Sequence, residues 1–232
     1  MAVLFSDGFE SNDFTAWTAT TTGGGSTLAV ESNNPHSGTY NAIGAALLDA
    51  NDYVTARKTV GGDLTEMYIR TYLKFNQLPT NGHFLDIGVS HQSATSALSW
   101  SGIANVADEY FWTIDLKDSD SWTLYSEAVA SDPSINTYYC VELYSKIHAT
   151  TGASTLWVDG VQKVAVTGKD TDNPDDPIFT EAKVGAYVND TEASPFTAYF
   201  DDCVVDVSYI GLARSIPVMM HHYNRINKII RG

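Results

Sequence analysis

Met67-Tyr68-Ile69-Arg70-Thr71-Tyr72-Leu73-Lys74-Phe75 decides the fold. Met67, Ile69, Leu73 and Phe75 fall on one side of an extended chain, and Arg70 and Lys74 on the other. Successive side chains of a strand point to opposite faces, so the segment predicts a half-buried strand. Tyr139–Ile147 repeats the pattern, with Val141, Leu143 and Ile147 inward and Glu142 and Lys146 outward. Further strands are expected over Val3–Phe5, Leu28–Val30, Tyr40–Ala46, Tyr53–Thr59, Phe84–Ser90 and Tyr110–Ile114. Others are expected over Trp122–Tyr125, Thr155–Val158, Gln162–Val166, Lys183–Val188 and Ala198–Tyr209.

Turn residues punctuate these runs: Gly23-Gly24-Gly25, Asn33-Asn34-Pro35, Gly61-Gly62-Asp63 and Asn81-Gly82. Asp159-Gly160 lies between Leu156-Trp157-Val158 and Val161. That is a two-residue hairpin signal, because both turn positions want positive φ. Many short strands without intervening helices predict an all-β fold, an antiparallel two-sheet β-sandwich or jelly roll over residues 1–211.

The composition agrees. Of 232 residues, 44% are hydrophobic, too many for a disordered chain. No run approaches the roughly 20 apolar residues of a membrane-spanning helix. The formal charge of -15 argues against a nucleic-acid reader, which needs a basic footprint. The charge is uneven. Residues 1–211 carry nine bases and all 28 acids (9 − 28 = −19), whereas residues 212–232 carry Arg214, Arg225, Lys228 and Arg231 and no acid.

That basic tail predicts a short amphipathic helix. Pro217 suits a first turn, and Met219, Tyr223, Ile226 and Ile230 share one helical stripe. With Arg225 and Lys228 beside the stripe, the tail reads as an arm for contacts between subunits, or one that folds back on its own acidic body. Membrane contact through it is not expected. Cys140 and Cys203 read as buried thiols or as one disulfide. The first residues lack the basic region and apolar core of a signal peptide. The expected location is extracellular or on a virion surface without a signal peptide, with the cytoplasm as alternative.

Three passages resemble the concanavalin A-like lectin/glucanase superfamily, in its LamG-like, polysaccharide-lyase-like and carbohydrate-binding branches. They are Phe5-Ser6-Asp7-Gly8-Phe9-Glu10 with Phe14 and Trp17, then Tyr138–Ile147 with Thr155–Val161, and Tyr199-Phe200-Asp201-Asp202-Cys203-Val204-Val205. The resemblance covers roughly residues 3–210 and implies a fold rather than one activity. It also implies a structural Ca²⁺ joining the first turn to the last strand. Asp7, Glu10, Asp201 and Asp202 are the candidate ligands, with carbonyls near His36-Ser37-Gly38.

No Glu-x-Asp-x-Glu run offers the carboxylates of a related hydrolase. A lyase needs a base and a group that neutralises a uronate, for which Arg70, Tyr72, His83 and His91 are the candidates. The Gln-x-His of related lyases is missing. Tyr68, Tyr72, Trp100, Trp112 and Trp122 are candidate platforms for sugar rings, with Tyr68 and Tyr72 favoured because they lie opposite the Met67/Ile69 face. The expected function is a non-catalytic structural or recognition protein of a surface assembly such as a virion, a tail or an extracellular filament. It would self-associate through the arm and touch polysaccharide. The alternatives are a polysaccharide lyase and a free carbohydrate-binding module.

Overall fold

The computed structural model describes residues 3–92, 97–119, 121–172 and 178–212. The expected arm over 212–232 lies outside the described residues except for Leu212. The described residues form strands, turns and bends and contain no helix. In chain order the strands are β1 (Phe5–Asp7), β2 (Ala19–Gly23), β3 (Thr27–Glu31), β4 (Asn41–Leu47), β5 (Tyr53–Leu64), β6 (Glu66–Phe75), β7 (Phe84–Gln92) and β8 (Ala97–Val106). They continue with β9 (Glu109–Asp118), β10 (Ser121–Ser126), β11 (Tyr139–Lys146), β12 (Gly152–Val158), β13 (Val161–Lys169), β14 (Phe179–Val188) and β15 (Phe196–Asp206).

The strands build two antiparallel sheets. The first runs β13-β12-β11-β6-β15-β4-β3, with β1 also on β15. The second runs β10-β9-β8-β7-β14-β5-β2. β6 sits centrally in the first sheet, as its alternation demands: Met67, Ile69, Leu73 and Phe75 enter the core. Leu85, Ile87 and Val89 of β7, and Ile114 and Leu116 of β9, enter the same core from the second sheet. Each such side chain, fully buried, contributes about 1.5–3 kcal/mol. The Asp159-Gly160 hairpin forms as expected, with φ of 51° and 75° joining β12 to β13. Cys140 and Cys203 are both free and buried.

Two strands were illegible in the sequence pattern. β2 is a threonine run with one apolar residue, and β8 carries Ser99, Ser101 and Gly102 where an apolar alternation would stand. Ser99 is wholly buried, yet its hydroxyl pairs with Ser145 Oγ at 2.8 Å and His91 Nδ1 at 3.1 Å. Ser145 in turn meets Ser154 Oγ at 2.9 Å. A chain of hydroxyls therefore crosses between the sheets with its hydrogen bonds met, which is what allows polar residues at core positions.

A bulge in β15 between Asp201 and Val204 shifts the alternation by one residue. Phe200 and Cys203, rather than Phe200 and Asp202, point to the core. Asp202 takes a positive φ of 48° at this kink.

Candidate saccharide groove

Five neighbouring strands of the second sheet shape a groove of about 480 Å³. Antiparallel register fixes its floor. Asp86 of β7 stands opposite Gly102 of β8 and Tyr187 of β14. Trp100 of β8 stands opposite Asp115 of β9. Trp122 of β10 and Asn189, just past β14, complete the lining with Phe84 and Ala97. Trp122 belongs to an outermost strand and is 46% exposed, whereas Trp100 is 9% exposed.

Burial governs the two acids. Asp86 is 4% exposed and accepts one hydrogen bond, from Asn189 Nδ2 to Oδ2 at 3.2 Å. Its other oxygen is buried with no partner among the described residues. Loss of water, then the charge of Asp115, holds the Asp86 carboxyl well above the ordinary range, against the Asn189 hydrogen bond. Burial pushes Asp115 up to about 6. Next along the sheet, Lys183 of β14 faces Arg57 of β5, and Arg57 Nη1 donates to Glu181 Oε1 at 2.9 Å. Burial lowers the Lys183 pKa.

A second depression, of about 920 Å³, lies where the first turn meets β15. Asp7 accepts from the Phe9 N–H at 2.9 Å and from Trp17 Nε1 at 2.7 Å. Glu10 Oε1 accepts the Thr39 and Tyr40 N–H groups, which hold its pKa down. Asp201 Oδ2 accepts from His36 and Ser37, and Asp202 pairs with His36 Nδ1 at 2.8 Å and accepts from Ser37 Oγ at 3.0 Å. The four candidate calcium ligands thus gather at one end of the molecule, each accepting hydrogen bonds from N–H or O–H donors. Among the described residues no group of three or more His, Cys, Asp and Glu side chains is arranged to hold a metal ion.

The sequence-derived lyase set does not converge. Arg70 and Tyr72 lie on the outer face of the first sheet. Arg70 Nη1 donates to the Gly211 carbonyl at 2.8 Å, and Tyr72 stacks on His36 at 3.6 Å. His83 pairs with Glu192 Oε1 at 3.2 Å in a loop. His91 is wholly buried in the core against Phe179, where lost hydration pulls its pKa down to about 3. Arg70 instead helps fix the outgoing chain, together with Glu142, whose carboxylate accepts the Ile210 and Gly211 N–H groups at 2.7 and 2.8 Å.

The aromatic candidates divide three ways. Trp100 and Trp122 line the groove. Tyr68 lies on the far side of the sandwich, 4.7 Å from Tyr144 and 6.2 Å from Trp157. Trp112 corrects the expectation of a sugar platform, because at 1% exposure it packs edge-on against Phe75 and Tyr139. Asp86, Asp115, Tyr187 and Asn189 were missed. An acid alternating with apolar residues, as in Phe84-Leu85-Asp86-Ile87, reads as solvated until the neighbouring strands are known.

Solved structures with this arrangement exist. The cellulose-induced protein Cip1 superposes with a TM-score of 0.67 at 15% identity, covering 90% of this chain and 100% of that one. An endo-beta-1,4-glucuronan lyase from Trichoderma reesei gives a TM-score of 0.69 at 13% identity, covering 89% and 96%. The chain has the concanavalin A-like fold. The alginate lyase Aly36B shares this concanavalin A-like architecture at a TM-score of 0.60 and 11% identity, covering 77% and 84%. No protein-family model matches the sequence, and no curated protein matches it. Within this concanavalin A-like sandwich the groove over the second sheet brings the exposed indole of Trp122 together with the buried acids Asp86 and Asp115.

Proposed function

We propose that the protein binds carbohydrate, with a saccharide chain lying in the groove over the second sheet. The observation that carries this is Trp122, an exposed indole on a groove wall whose floor holds Asp86, Asp115 and Asn189. Pyranose rings present apolar faces and polar rims. An aromatic wall with a few hydrogen-bonding groups answers both. The solved neighbours named above, two of them lyases of glucuronan and alginate, support the same reading.

Calorimetric titration with a panel of oligosaccharides tests it. At least one member binds, and Trp122→Ala weakens that binding about three- to tenfold, the value of one aromatic contact. The substitution sits on an outermost strand and leaves the melting temperature close to wild type. Binding of no panel member, or equal affinity in the variant, overturns the reading.

A second reading, polysaccharide lysis, is favoured by Tyr187 on the groove wall and Lys183 on the same face of β14. A phenol, here raised in pKa by burial, and an amine whose pKa burial lowers are groups that exchange protons with a substrate. The same panel, followed at the absorbance of an unsaturated product, decides it. Turnover that disappears in Tyr187→Phe installs the lyase.

A further inference from the structure

Every charged side chain that lines the groove is an acid. Asp86 enters from β7 and Asp115 from β9, with β8 between them. The nearest bases lie outside the lining, and Arg57 is committed to Glu181 at 2.9 Å. Gly102 stands opposite both Asp86 and Thr113 in the strand register, with the Leu85 carbonyl also against it. A Cβ built there would come within 2.8 Å of Thr113 Oγ1 and 3.4 Å of Asp86 Oδ1. Both oxygens lack a hydrogen-bond partner among the described residues, and Asp86 and Thr113 are 4% and 0% exposed. A buried polar atom left unpaired costs about 1–3 kcal/mol. Of the two residues Asp86 belongs to the groove lining, and its unpaired oxygen marks where a ligand group is wanted.

We propose that the groove selects a neutral saccharide and rejects a uronate. Hydroxyl groups of the sugar bond to Asp86 and Asp115 while its ring lies against Trp122, and a sugar carboxylate meets like charge. This rests on the carbohydrate-binding reading and adds the ligand class to it. A hydroxyl is the suitable partner because it both donates and accepts. Burial raises the Asp86 pKa and leaves one of its oxygens unpaired, whereas Asp115 above about pH 6 offers lone pairs alone. A carboxylate can satisfy neither acid without bringing a second negative charge into a low-dielectric site. Across the ladder Asp115 faces Trp100 and Leu124, and its charge reaches Asp86. Lys117, on its own strand, pairs with Trp122 across β9 and β10.

The test compares two hexasaccharides at pH 8, a neutral β-1,4-glucan and a β-1,4-glucuronan, on the full chain by calorimetry. Like-charge juxtaposition costs enough that the uronate binds at least about tenfold more weakly. Asp115→Asn keeps the shape and removes the charge. It weakens the neutral ligand a few-fold and narrows the gap between the two ligands, with a cooperative melt showing that it is folded. If the uronate binds as tightly as the glucan to wild type, or if Asp115→Asn leaves the ratio unchanged, the selectivity proposal fails while carbohydrate binding stands. If neither ligand binds and no panel sugar does, the carbohydrate reading itself fails.

Discussion

Trp112→Ala is expected to lower stability by about 3–5 kcal/mol, the usual cost of truncating a large buried aromatic. Trp112 is 1% exposed and belongs to the continuous core. Its ring meets Tyr139 at 5.5 Å and Phe75 at 6.5 Å, both edge-on. The cavity would open between the two sheets, where β9 and β11 are each held by hydrogen bonds on both sides and cannot collapse inward cheaply. For a domain of this size the melting temperature should fall by about 6–20 °C, measured by thermal denaturation. Trp112→Phe, which keeps an aromatic ring, should recover much of the loss. A fall below about 3 °C in Trp112→Ala would contradict the core assignment. Trp122→Ala provides the contrast, since it removes an indole that is 46% exposed and should act on ligand affinity instead.

That contrast shows what was legible in the sequence and what was not. Strand alternation within β6 was decisive, because four large apolar residues on one face have no other use than a core. The same rule reads Trp112 inward, because it shares a face with Ile114 and Leu116 and alternates with Thr113, Asp115 and Lys117, but it leaves Trp122 open. In the six residues of β10, Trp122 and Leu124 share a face, and only the pairing with β9 shows which side they take. The groove acids were illegible for a related reason. Asp86 and Asp115 lie 29 positions apart in the chain, and the register of β7, β8 and β9 is what brings them to one floor. His91 and Arg70 do not meet because they lie in different sheets: the histidine faces the interior, and the arginine faces the chain after β15. The meeting of Asp7 and Glu10 with Asp201 and Asp202 was legible from the resemblance, but the bulge that turns both aspartates toward His36 and Ser37 was not.

The second large effect is a pH-dependent penalty on the folded state from Asp115, and Asp115→Asn should reveal it. The carboxyl has an ordinary value of 3.8, and burial raises it to about 6 in the folded protein. A raised acid binds its proton more tightly when folded than when unfolded. Its contribution is therefore fully present below about pH 4 and is lost as pH rises through about 6, after which the penalty is constant. His91 acts in the opposite sense. Its folded pKa is depressed to about 3, so protonation of the unfolded chain below its ordinary 6.5 costs stability as pH falls. Asp201, raised to about 6 by burial despite three backbone donors, acts in the same sense as Asp115. The wild-type pH profile therefore mixes opposing contributions, and the difference between wild type and variant isolates one of them. An asparagine has no charge to bury, so the variant escapes the penalty at pH 8 but not at pH 4, where none exists. Relative to wild type it should gain about 1–2 kcal/mol between those values, reduced from the full shift because Asp115 borders the groove. Thermal melts of both proteins at unit steps from pH 4 to pH 8 measure it. The gap in melting temperature should widen by several degrees through pH 6 and then level off. A gap that stays constant across the series would mean that Asp115 is as well solvated in the folded chain as in the unfolded one, and the low-dielectric floor on which the rejection of uronates depends would go with it.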